Sequence, residues 1–78
     1  MPALSAKDLV ILLNFELAAY EECDGCRFTS IRPMRSRDDA GANWLDARVL
    51  SDHRLGLEEH FIVRGVVEET RRRFDLAS

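Results

Sequence analysis

Two apolar stretches with helical spacing, Leu9–Tyr20 and Leu57–Phe74, bracket a middle segment of two short strand-like runs joined by a charged loop. That order, helix–strand–strand–helix, restricts what the chain can fold into. A lone hairpin is marginal in water and needs helices or further strands against its apolar face. The pattern predicts a single α+β domain over residues 1–78, with two helices packed on one face of an antiparallel β-hairpin.

Ser5 is a good N-cap and Asp8 stands in the capping-box position, so a first helix is expected over about Ala6–Glu22. On a 100° wheel, Leu9, Val10, Leu13, Leu17 and Tyr20 share one face, while Ile11, Leu12, Phe15 and Ala19 cover much of another. Only the strip of Lys7, Asn14 and Glu21 reads as wet. A helix apolar most of the way round is normally buried on more than one side. A chain of 78 residues shelters only roughly 60% of its unfolded surface. The second side, Ile11, Leu12 and Phe15, is therefore expected to meet another molecule. Glu16, at the seam of the two faces, needs a partner.

Asp24-Gly25 ends this helix, with Gly25 suited to the left-handed closing conformation. Arg27–Met34 holds strand-forming Phe28, Thr29 and Ile31, and Pro33 places that strand at an edge or at its end. Arg35–Asn43 reads as an exposed loop. Trp44–Leu50 alternates, with Leu45, Ala47 and Val49 on one face and Trp44, Asp46 and Arg48 on the other, as a half-buried strand does. Ser51–Gly56 connects to a second helix over about Leu57–Phe74, whose core stripe is Val63, Val66, Val67, Thr70 and Phe74. Glu68 precedes Arg72 by four residues on the wet side, and Arg71–Arg73 complement the helix dipole. The branched residues and glycine of Phe61–Val67 would also suit a third strand; helix is the favoured reading.

The formal net charge is −3, unevenly spread. Residues 1–26 carry one basic side chain against five acids, while residues 27–54 carry six arginines against four aspartates. The hairpin is the basic part of an acidic protein. Arg27, Arg32, Arg35, Arg37 and Arg48, with Trp44 beside them, have the types that contact phosphates and stack on bases. Asp38, Asp39 and Asp46 lie among them, so the simpler reading is a solvated face with local ion pairs. Glu21, Glu22 and Asp24 are expected to pair with Arg71–Arg73 of an antiparallel second helix. No basic leader with an apolar core is visible, and Leu9–Leu13 is far shorter than the ~20 residues that cross a bilayer. A cytoplasmic protein without membrane contact is expected.

Cys23-Asp24-Gly25-Cys26 has the spacing of a redox pair but sits at the C-terminal end of a helix beside acids. Thiols are activated at helix N-termini, so this reads as a cap and tight turn. With His53 and His60 the cysteines supply four zinc-ligand types. The usual two-Cys, two-His module spaces its histidines three to five residues apart, whereas here six intervene and His60 falls inside the second helix. A zinc-stabilised module is an alternative reading; the favoured one has no metal and no cofactor, with His53 in a turn and His60 on a helix face. Ser5, Ser30, Ser36 and Ser51 lack a nucleophile elbow, and neither a phosphate-binding glycine loop nor a metalloprotease helix motif occurs.

Ser30-Ile31-Arg32-Pro33, Asn43-Trp44 and Arg71-Arg72-Arg73-Phe74-Asp75-Leu76 resemble a loose group of small proteobacterial proteins. These share an N-terminal helix, a strand ending near a proline, an Asn-Trp step and a basic terminal helix. The resemblance spans about residues 27–76 and implies a helical Phe61–Arg73; it brings no activity and no functional residue. The expectation is a non-catalytic accessory or protein-interaction protein acting as a homodimer, joined either through the first helix or through the hairpin edge into a four-stranded sheet, with candidate contacts at Ile11, Leu12, Phe15, Arg35, Arg37, Trp44 and Arg48. A second protein is the other kind of partner this reading admits. A nucleic-acid-binding module using the arginine hairpin is the alternative.

Overall fold

Ser5 starts the first helix as its place in the sequence implies, its Oγ accepting the Asp8 N–H at 3.1 Å. A computed structural model describes residues 2–39 and 41–77. The order is β1 (Ala3–Leu4), α1 (Ala6–Leu17), a 3-10 turn (Glu21–Cys23), β2 (Cys26–Pro33), β3 (Trp44–Ser51), α2 (Leu57–Arg73) and β4 (Asp75–Leu76). This is the expected α+β arrangement: β2 and β3 form an antiparallel hairpin, and both long helices pack on it. Phe61–Val67 is helical.

The first helix stops at Leu17, short of Glu22. The N–H groups of Ala18, Ala19 and Tyr20 close the end onto Asn14, Glu16 and Leu17 carbonyls, and the backbone then extends at Tyr20. This break turns the chain back, so that Cys23 drops into the core instead of continuing along a helix axis. Gly25, at φ 83°, then brings the chain into β2; this left-handed conformation costs glycine little.

Two irregularities shape the hairpin. Thr29 is passed over between the Phe28↔Val49 and Ser30↔Arg48 pairs, and Leu45 between Arg32↔Asp46 and Pro33↔Trp44. A bulge re-aims the side chains that follow it. The alternation read from the sequence is thereby corrected: Trp44 turns inward and is fully enclosed, whereas Leu45 stays 42% exposed. The core joins Leu9, Leu13 and Leu17 of α1 to Cys23, Phe28, Trp44 and Val63, Val66 and Val67 of α2. Thr70 is also buried, and Phe74 packs partly against this cluster.

β1 and β4 pair in parallel, with Ala3 opposite Asp75 and Leu4 opposite Leu76. The chain just before α1 thus meets the chain just after α2, while α2 also touches the 3-10 turn that follows α1. The two helices therefore run antiparallel in one layer.

The arginines at the end of α2 do not reach Glu21, Glu22 or Asp24. The Arg71 guanidinium is drawn inward by three acceptors: Nε donates to the Trp44 carbonyl at 2.8 Å, Nη1 to Glu68 at 3.1 Å, and Nη2 to Asp38. Arg72 pairs with Glu69, one turn back, in place of the expected Glu68. Arg73 lies over the Phe74 ring.

Candidate functional site

The wheel positions opposite Leu9, Leu13 and Leu17 are those of Ile11 and Phe15, which are 57% and 76% exposed. Leu12 is half-buried at their side. α2 repeats the motif: opposite Val63, Val66 and Val67 stand Leu57 and Phe61, 90% and 80% exposed. Each pair is spaced i, i+4, which sets the two side chains on one stripe of helix. Phe15, Leu57 and Phe61 are the most exposed of the four, while Ile11 also borders a groove between α1 and β2 with Val10, Thr29 and Ile31. Gly65 extends the α2 stripe one turn further as a flat spot, with nothing within 4 Å of where a Cβ would stand. A shallow cleft between the helices is lined by Glu16, Tyr20, Glu69 and Arg73, giving the stripes a rim of mixed charge.

The sequence singled out Ile11, Leu12 and Phe15 but not Leu57 and Phe61. Their signal was present as two large apolar residues on the side away from the Val63 stripe.

The arginine candidates separate. Arg37 is held in place, donating to the Gly41 carbonyl at 2.6 Å and through both terminal nitrogens to Asp75 at 3.0 Å. That guanidinium keeps the Asp75 carboxyl below the usual carboxylate range. Trp44 takes no part in any surface: its indole N–H donates to the Phe74 carbonyl at 3.0 Å inside the core. Arg35 and Arg48 are exposed. The register places Arg27, Arg32 and Arg48 on the open face of the hairpin, with Leu50 and Asp46 across from Arg27 and Arg32. Arg32 and Asp46 form a 3.3 Å pair between well-exposed side chains. Such a pair contributes about 0–1 kcal/mol.

Cys23 and Cys26 are free thiols. Cys23 is buried, and that burial, followed by the nearby Cys26 and Glu59 charges, pushes its thiol pKa up. A protonated, enclosed thiol is a poor nucleophile. His60 does not approach the cysteines; it faces the groove between α2 and β3 with Leu45, Ala47 and Val63. Its neighbour Glu59 takes the place the sequence reading gave to a histidine. Glu59 Oε2 lies 2.6 Å from His53 Nε2 and 3.8 Å from Cys26 Sγ. His53 is raised above its ordinary pKa by its contacts with Asp52 and then Glu59, and Glu59 is lowered by His53 and the Gly56 N–H. The missed signal was the capping-box position of Glu59, which turns a first-turn carboxylate back toward the connector.

Among the described residues, no helix is long and apolar enough to cross a membrane. No family model, curated protein or solved structure matches the chain. Fold and surface together define a small α+β domain whose helix layer presents apolar stripes outward.

Proposed function

We propose that the chain is a small interaction protein without catalysis of its own, and that it self-associates through the outer face of its helix layer. The observation that carries this reading is the pair of exposed stripes, Ile11/Phe15 and Leu57/Phe61. Scattered apolar residues on a surface need no explanation, but contiguous ones mark interaction sites.

A second copy suits this face because a two-fold axis sets the same patch against itself. Antiparallel stripes of one subunit then cover those of the other, and the mixed rim of Glu16, Glu69 and Arg73 can pair with its own image. Full burial is worth about 1.5–3 kcal/mol per large apolar side chain. Eight such side chains in a symmetric pair give roughly 12–24 kcal/mol gross. Association costs about 4–15 kcal/mol. A micromolar homodimer needs a net gain of about 8 kcal/mol, which lies within the range those magnitudes leave.

Light scattering coupled to size exclusion tests the reading. The expected mass is twice the 8.9 kDa of one chain, reverting to a single chain in Phe15→Glu and Phe61→Glu with circular dichroism unchanged. A wild-type protein that runs as one chain at micromolar concentration sinks the proposal.

One observation favours a second reading, a nucleic-acid surface on the open hairpin face: Arg27, Arg32 and Arg48 stand there together. The acidic net charge and the enclosed Trp44 weigh against it. That reading requires salt-sensitive binding to DNA or RNA that is lost in the Arg27→Glu/Arg48→Glu double variant. Arg37 is the wrong probe, since Asp75 holds it.

A further inference from the structure

We infer that Cys26, His53 and Glu59 form a three-ligand site for a divalent cation of the zinc class, with a fourth position open to solvent. Three separate elements supply the ligands: the first residue of β2, the β3–α2 connector and the first turn of α2. One donor atom from each lies within 4.8 Å of the other two. Zinc bonds of about 2.0–2.3 Å in a tetrahedron set neighbouring donors roughly 3.3–3.7 Å apart. The Cys26 Sγ–Glu59 Oε2 separation of 3.8 Å already fits that spacing. The 2.6 Å contact between His53 Nε2 and Glu59 Oε2 must open by less than about 1 Å. A cation entering there replaces the proton shared by those two atoms and displaces the Cys26 thiol proton.

The surroundings hold each donor in place. Asp52 Oδ1 lies 2.6 Å from His53 Nδ1, so the other ring nitrogen is oriented by a carboxylate as in metal-bound histidines. Ser51 Oγ accepts the His53 N–H at 3.2 Å and lies 3.6 Å from Cys26 Sγ. Glu59 spends Oε1 on the Gly56 N–H at 3.1 Å, which leaves Oε2 for the cluster. Gly25 completes the cradle, since a Cβ there would overlap the Asp52 carboxylate. A surface His–carboxylate pair alone requires neither a thiol at its side nor a second carboxylate on the other ring nitrogen.

The donor set selects the ion. Thiolate, imidazole and carboxylate together suit zinc and cobalt(II), while magnesium and calcium want oxygen ligands. Side-chain exposures of 41% for His53 and 16% for Glu59 leave a path in from solvent. The site keeps Cys26 and His53 of the sequence-derived set, drops Cys23 and His60 and adds Glu59, and the difference is testable.

Cobalt(II) titrated into the reduced, metal-free full chain gives the readout. The expected result is one equivalent per chain with a thiolate-to-cobalt charge-transfer band, displaced by stoichiometric zinc. Cys26→Ser abolishes the band. His53→Gln and Glu59→Gln each weaken zinc binding by more than about tenfold, and Asp52→Asn by about 10- to 100-fold. His60→Ala leaves band and affinity unchanged, and circular dichroism verifies the fold of every variant. Absence of the band, its survival in Cys26→Ser, unaltered zinc affinity in His53→Gln, or lost binding in His60→Ala each overturns the assignment.

Discussion

Asn14 clamps the Phe28 peptide from both sides: its Oδ1 accepts the Phe28 N–H at 2.7 Å and its Nδ2 donates to the Phe28 carbonyl at 3.0 Å. The amide side chain thereby acts as one residue of a missing strand along the edge of β2, next to the bulge at Thr29. Its loss leaves two backbone groups without partners. Each such bond is worth about 1 kcal/mol net. Asn14→Ala is therefore expected to destabilise the fold by about 2 kcal/mol. For a domain of this size, that is a fall in melting temperature of roughly 8–16 °C. A change no larger than the about 0.5 kcal/mol of an ordinary surface substitution would remove the clamp from the account.

Asn43 repeats the device at the other end of the molecule. Its Oδ1 accepts the Leu76 N–H and its Nδ2 donates to the Leu76 carbonyl, both at 2.8 Å. Here the clamped segment is the two-residue β4, which pairs with β1 along its other edge. The effect of Asn43→Ala is expected to be local. Amide exchange at Leu76 and Ala77 should accelerate toward the rate of an open terminus, while the Val63–Val67 amides keep their protection. Uniform acceleration across α2 would contradict a local role.

Trp44 is tied twice to the C-terminal end of α2, since its carbonyl accepts from Arg71 Nε while its indole N–H donates to the carbonyl of Phe74, the residue that caps the helix. Trp44→Ala opens a cavity at the centre of the core and is expected to cost about 3–5 kcal/mol. Arg71→Lys keeps the charge but not the fork that reaches Trp44, Glu68 and Asp38 together. It is expected to lose about 1.5–3 kcal/mol, the worth of a charge-assisted bond whose partner stays in place. Urea midpoints followed by far-ultraviolet circular dichroism measure both. An Arg71→Lys midpoint equal to that of wild type would mean that the charge alone suffices.

The parts legible in the sequence were those written in periodicity. The Val63, Val66, Val67, Thr70 stripe placed α2, Ser5 placed the start of α1, and Pro33 placed the end of β2. The unreadable parts arise from contacts between elements distant in the chain. Asn14 has the composition of a wet residue, and only the nearness of Phe28 makes it structural. Trp44 alternates to the outer face unless a bulge opposite Arg32 and Pro33 rotates it inward, and nothing local encodes that bulge. β1 and β4 are two residues each, too short for any period to register. Glu59 displaced His60 from the metal-ligand set because a search by residue type looks for histidine and cysteine, whereas the capping geometry delivered a carboxylate.

Asp75 makes the acid limb of stability a direct test of the closure between chain ends. Its carboxyl receives both terminal nitrogens of Arg37, and its N–H donates to the Pro2 carbonyl at 2.9 Å. The Arg37 hydrogen bonds hold its pKa below the usual carboxylate value of 3.8. In the unfolded chain that partner is absent, so the unfolded form takes up the proton at higher pH than the folded form. The stabilisation is therefore complete above the unfolded pKa, near pH 4, and is lost as pH falls through the lower folded value. Replacing Asp75 with Asn removes this dependence. The stability difference between wild type and Asp75→Asn should be flat above about pH 5 and shrink steadily below about pH 4. Denaturant midpoints across an acid series read it out. Curves that stay parallel down to the acid limit would show that the Arg37–Asp75 pair gives the folded state no preference for the charged carboxylate.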